Sequence, residues 1–148
     1  MKQNLVITIL LIFIGTHTCF AGELYDIYMK DNGNFWDKWN TVSKKVKICT
    51  DQKIVVSFLK DAILLSHNDE MVQANANTIE TLAKSNLECL VNALNKLPDK
   101  ELKEAMRIYV ANPYGLISIT EIESMLSPYF EKHGYRRIKK YFYSEKEW

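Results

Sequence analysis

From Gly22 onward, apolar residues recur at intervals of three and four with hardly any alternating runs, a pattern that predicts helices almost throughout. Leu24, Ile27 and Tyr28 share one face of a short helix, Glu23 to Lys30, which stops at the turn-forming Asp31-Asn32-Gly33-Asn34. A second helix starts at Phe35, where Phe35, Trp36, Trp39, Val42 and Val46 form the apolar stripe. Ser43, Lys44, Lys45 and Lys47 fall on its solvated side. Trp36 and Trp39, three positions apart, read as core filling rather than as a stacking pair for a ligand.

Thr50 or Asp51 supplies an N-cap for a third helix carrying Ile54, Val55, Phe58, Leu59, Ala62, Ile63 and Leu65. Ser66-His67-Asn68-Asp69 interrupts it. A longer helix, Glu70 to Leu97, follows with Val72, Ala76, Ile79, Leu82, Leu87, Leu90 and Leu94 on one broad face, and Pro98 marks its end. The short joint makes these two an antiparallel hairpin.

Asp99 opens a further helix with Leu102, Ala105, Met106, Tyr109 and Val110 inward, closed by Asn112-Pro113-Tyr114-Gly115. Leu116 to Ile119 alternates too briefly to count as a strand. Thr120-Glu121-Ile122-Glu123 fits a capping box, Pro128 predicts a kink or restart at Ser127, and Gly134 is placed to end that helix. The fold expected is all-α, a small bundle of about five or six helices with one disulfide-braced hairpin.

The first residues have a different pattern. Lys2 precedes an apolar run from Leu5 to Ile14, and Cys19-Phe20-Ala21 ends in the small residue that signal peptidase requires. Residues 1–21 therefore read as a cleaved signal peptide and 22–148 as one exported domain, periplasmic or secreted. An uncleaved anchor is the competing reading, but the apolar run is about half the roughly 20 residues a spanning helix needs, so no stable membrane insertion is expected after cleavage. Lipidation of Cys19 is a further alternative, opposed by Thr16-His17-Thr18 where small apolar residues are usual.

The leader carries Lys2 and no acid, so its loss reduces the 19 basic side chains to 18, against 18 acidic ones. A balanced charge and an external compartment argue against a nucleic-acid partner. Of the three cysteines, Cys49 and Cys89 remain after cleavage, and in an oxidising compartment such a pair closes into a disulfide. A metal site is the weaker reading, since the nearest histidine, His67, lies far from Cys49 in sequence.

Chemistry-bearing motifs are sparse. His67 and His133 have no nucleophile paired with them, and no phosphate-binding glycine loop or metal-ligand spacing occurs. Asp69-Glu70 and Glu121 with Glu123 sit where acids stabilise helix starts. No catalytic residue, cofactor or metal is assigned on this basis.

The most polarised segment is the C-terminal one, 135–148, where Tyr135, Arg136, Arg137, Lys139, Lys140, Tyr141 and Tyr143 combine residue types enriched at binding hot spots. It reads either as a last packed helix or as a contact surface for another protein; a lipid contact is a third option. By elimination the chain reads as a binding protein rather than an enzyme. The leading expectation is an inhibitor, such as an immunity protein that occludes a toxin or hydrolase. A periplasmic chaperone or stress protein and a small enzyme of unrecognised type are the alternatives. The sequence leaves the oligomeric state open.

Overall fold

A computed structural model describes residues 22–30 and 32–146; the expected leader, including Cys19, lies outside the described residues. Those residues form seven α-helices: α1 (Glu23–Lys30), α2 (Asn32–Lys47), α3 (Gln52–Leu64), α4 (Asp69–Leu94), α5 (Asp99–Ala105), α6 (Ile119–Phe130) and α7 (Arg136–Glu145). The count exceeds the expected five or six because the C-terminal segment, α7, folds as a helix of its own in addition to the six expected from Glu23 to Gly134. α3 and α4 form the expected hairpin, α2 packs against both, and α7 packs against α5 and α6.

Local chemistry sets most of the boundaries. Asp51, one of the two expected caps, accepts from the Lys53 N–H at 2.8 Å and starts α3. Asn68 caps α4 through Met71 N–H at 3.2 Å, and its amide donates to the Tyr28 hydroxyl at 2.9 Å, tying α1 to the hairpin joint. The capping residue of α6 is Ser118, which accepts from Glu121 N–H at 3.1 Å. Ser118-x-x-Glu121 displaces the expected Thr120-x-x-Glu123 because only Ser118 has the extended backbone that a cap needs.

Pro128 lies inside α6 without ending it. Proline leaves the Ser124 carbonyl without its usual donor, and the Ser127 hydroxyl takes that place at 3.0 Å. The helix stops at Phe130, and Gly134 sits in the following 3₁₀ turn, His133–Tyr135, rather than terminating α6.

Helix α4 departs from the single span expected. Asn86 breaks it with φ −155° and ψ 73°, and the Asn86 side chain re-caps the second half by accepting from Cys89 N–H at 3.1 Å. Beside the break, the Ser85 hydroxyl donates to the Lys47 carbonyl at 2.8 Å, and Cys89 is bonded to Cys49 with their Cα atoms 6.4 Å apart. The disulfide therefore joins the end of α2 to the second half of α4. Cys49 occupies the residue after a helix end with φ 51°, and Cys49 N and Thr50 N donate to Val46 O and Lys45 O. That pattern is a Schellman close, in which glycine is the usual occupant.

The core is continuous through all seven helices. After α5 the backbone widens into a π turn, Met106–Val110, closed by Ala111 N to Met106 O at 2.8 Å. Ile108, Tyr109, Val110 and Ala111 are buried in succession here. Tyr109 is buried but paired, donating to the Ala62 carbonyl at 2.7 Å. Trp39 fills the core and donates to Asn75 at 2.9 Å, while Trp36 stands partly exposed against its edge. Ser43, expected in solvent, is buried and shares a 2.8 Å hydrogen bond with Thr78.

Candidate functional site

The C-terminal segment forms α7 with Ile138 and Phe142 fully buried. Several of its polar side chains bond within the chain. The Tyr135 hydroxyl donates to Asn92 at 2.6 Å. Arg137 reaches Asp99 and the Leu97 carbonyl, each at 2.7 Å, and the Asn95 carbonyl at 3.4 Å, closing the carbonyl end of α4. Lys139 pairs with Glu131 at 2.8 Å; the pair raises the Lys139 pKa and holds the Glu131 carboxyl below its usual range. Lys146, at 2.6 Å, and the Tyr143 hydroxyl, at 3.0 Å, do the same to Glu123. Lys140 lies over the Tyr141 ring at 4.8 Å, and Arg136 is exposed. Of the seven residues singled out, Arg136 and Lys140 are the cations that project outward without an ion pair among the described residues.

A second surface feature was not apparent from sequence pattern. Glu80, in the middle of α4, is 3% exposed. Its carboxylate accepts from the backbone N–H groups of Tyr114 at 2.5 Å, Leu116 at 2.6 Å and Ile117 at 3.1 Å. Gly115 makes this convergence possible, because its φ of 136° is a conformation side-chain-bearing residues avoid. Asn112 anchors the other end of the loop by donating to the Arg107 carbonyl at 3.0 Å and to the Glu145 carbonyl at the end of α7 at 2.9 Å. With the backbone held inward, Tyr114 and Leu116 project outward, 54% and 44% exposed. The result is a rigid loop displaying one aromatic and one aliphatic side chain.

A cleft of about 620 Å³ lies between α2 and α3 and is bounded at one end by the start of α1. Leu24, Val42, Ile54, Val56 and Phe58 supply its apolar floor, and Lys38, Lys45, Lys53, Lys60 and Lys96 stand around it. Lys38 is paired with Glu23 at 2.8 Å and Lys60 with Glu101 at 3.5 Å. Asp61 lies at the α1 end and accepts from Leu24 N–H and Tyr25 N–H, each at 3.4 Å. Burial pushes its pKa up from 3.8 to about 6, against the opposing backbone hydrogen bonds from Tyr25, Leu24 and Gly22.

The remaining candidates belong to neither the 113–117 loop nor the cleft. His67 Nδ1 lies 3.0 Å from the Leu64 carbonyl at the hairpin joint, and His133 sits in the 3₁₀ turn before α7. Asp69 and Glu70 are exposed at the start of α4. Among the described residues no three His, Cys, Asp or Glu side chains converge as a metal ion would require. No protein-family model matches the chain, and no curated protein or solved structure matches it either.

Proposed function

We propose that the protein is an exported helical binding protein that inhibits another protein, a toxin or hydrolase, by seating the 113–117 loop in its partner's cleft. The observation that carries this reading is the Glu80 carboxylate with its three backbone hydrogen bonds. A loop already held in one conformation loses little entropy on docking, and a projecting Tyr is a residue type that dominates interface energetics. Asn112 and Glu145 join this loop to the C-terminal end of α7, and the outward Arg136 and Lys140, in the first half of that helix, favour approach to an acidic surface. Export is supported by the Cys49–Cys89 disulfide, a bond that persists in oxidising compartments. No described helix is long and apolar enough to cross a membrane.

The test is affinity capture from exported fractions with the chain from Gly22, followed by titration of the captured protein's activity. Stoichiometric suppression of one partner is expected, and Tyr114→Ala with Leu116→Ala should weaken it about thirtyfold, the ~2 kcal/mol of a hot spot. Glu80→Gln should give a smaller loss while the helices stay intact. Unchanged affinity in the double variant would remove the loop from the interface. Retention of many unfolded proteins instead of one partner would make this a chaperone.

A further inference from the structure

We propose that the cleft between α2 and α3 is a binding site for a single-chain anionic amphiphile, with its head beside Lys45 and Lys53 and its tail along Val42, Ile54 and Phe58 toward Leu24. This site is separate from the 113–117 loop and does not depend on the inhibitor reading.

Three observations converge on that ligand chemistry. The first is size and lining: about 620 Å³ over an apolar floor lies within the range of about 300 to 1,000 Å³ typical of small-molecule pockets. The second is the asymmetry of charge along the cleft. Lys45 lies in the last turn of α2 and Lys53 in the first turn of α3, so the short link between the helices brings both to one end. Neither forms an ion pair among the described residues. Lys96 joins them there, since its ammonium bonds Gln52 at the start of α3. At the other end, Lys38 and Lys60 are neutralised by Glu23 and Glu101, and the Asp61 carboxyl is buried. Asp51 also lines the cationic end, where it caps α3 through the Lys53 N–H, so three ammonium groups face one carboxylate there and an anion is favoured at that end.

The third observation is length. Lys53 and Asp61 are eight residues apart on one helix, about 12 Å at 1.5 Å per residue, enough for an alkyl tail to follow the floor from the cationic end. Once the leader is removed the chain's charges balance, so this cluster of cations is a local feature and not the expression of a basic protein. A neutral apolar ligand would leave the cationic end unused. A dianionic ligand without a tail would leave the floor exposed to water.

The experiment uses the whole exported chain and a dansyl-labelled undecanoate probe, displaced below micellar concentrations by dodecanoate, dodecyl phosphate and dodecanol. Saturable binding at one probe per chain is expected. Dodecanoate or dodecyl phosphate should displace it at least about tenfold better than dodecanol, a preference of about 1.4 kcal/mol, and the better of the two anions identifies the head group. Lys45→Glu with Lys53→Glu should weaken the probe about tenfold at an unchanged melting temperature, and Ile54→Trp, which fills the floor, should weaken all three ligands alike. Absence of saturable binding would overturn the proposal. Equal displacement by dodecanol, or full affinity in the Lys45, Lys53 double variant, would overturn it as well.

Discussion

In a chain where an amide precedes Gly22, replacing Asp61 by Asn should make the protein more stable at neutral pH. The Asp61 side chain is 2% exposed, its two backbone hydrogen bonds are long at 3.4 Å, and Glu23 adds repulsion. Burial therefore dominates and raises the carboxyl from 3.8 to about 6. Below pH 3.8 the group is protonated in both the folded and the unfolded chain and has no effect on the pH dependence. Between 3.8 and about 6 the folded chain keeps a proton the unfolded chain has lost, so stability falls as pH rises. Above 6 the loss is complete, and a rise of about two pH units corresponds to about 3 kcal/mol.

Asn keeps an oxygen to accept from Leu24 and Tyr25 and never ionises, although its amide needs a partner of its own. The net gain expected at pH 7.5 is therefore about 2 kcal/mol. The assay is urea unfolding followed by circular dichroism at pH 3.5, 5 and 7.5, with Gly22 preceded by a short polar extension so that its nitrogen is an amide. The variant should be about 1 kcal/mol less stable than the parent at pH 3.5, from the amide alone, and the difference should rise by about 3 kcal/mol toward pH 7.5. A flat or inverted difference would refute the reasoning. Because the Gly22 backbone also hydrogen-bonds Asp61, a chain that begins at Gly22 puts an ammonium beside the carboxylate. There the sign inverts: the ion pair favours the charged form, and Asp61→Asn becomes the less stable protein at pH 7.

The disulfide closes a sequence separation of 40 residues, so under oxidising conditions Cys49→Ser should lose about 4 kcal/mol and Cys49→Gly about 3 kcal/mol. Under reducing conditions Cys49→Gly should exceed Cys49→Ser by about 1 kcal/mol in denaturant unfolding, because φ at this position is 51°; equal stabilities would contradict the strain argument. Arg137→Gln should lower stability by about 1 to 2 kcal/mol through the carbonyls left at the end of α4, while Arg136→Gln stays within about 0.5 kcal/mol. Equal melting temperatures for the two variants would mean that Arg137 does not close that helix.

Residue spacing alone determined the helical class and the hairpin and narrowed the cap of α3 to Thr50 or Asp51, while the cysteine count with an expected oxidising compartment pointed to the pairing of Cys49 with Cys89. Each of these depends on neighbours within a turn or two of helix, or on two cysteines with no other partner. Some missed features were also within local reach. Asn75 and Thr78 lie on the same face of α4 as Val72, Ile79 and Leu82, and polar residues inside such a stripe signal a buried polar contact. Ser118 and Glu121 satisfy the capping-box spacing as well as Thr120 and Glu123 do, and only the backbone geometry separated the two.

The tertiary structure decided what the chain displays. Nothing in local spacing marks Glu80 or Asp61, because the N–H groups they hold belong to segments 34 to 37 residues away. The same holds for Arg137, whose partners lie 38 to 42 residues away, and for the cleft, which exists only where the sides of α2 and α3 meet. Periodicity records which side of its own helix a residue faces. Which backbone group or side chain lies opposite that face is settled only by how the helices pack.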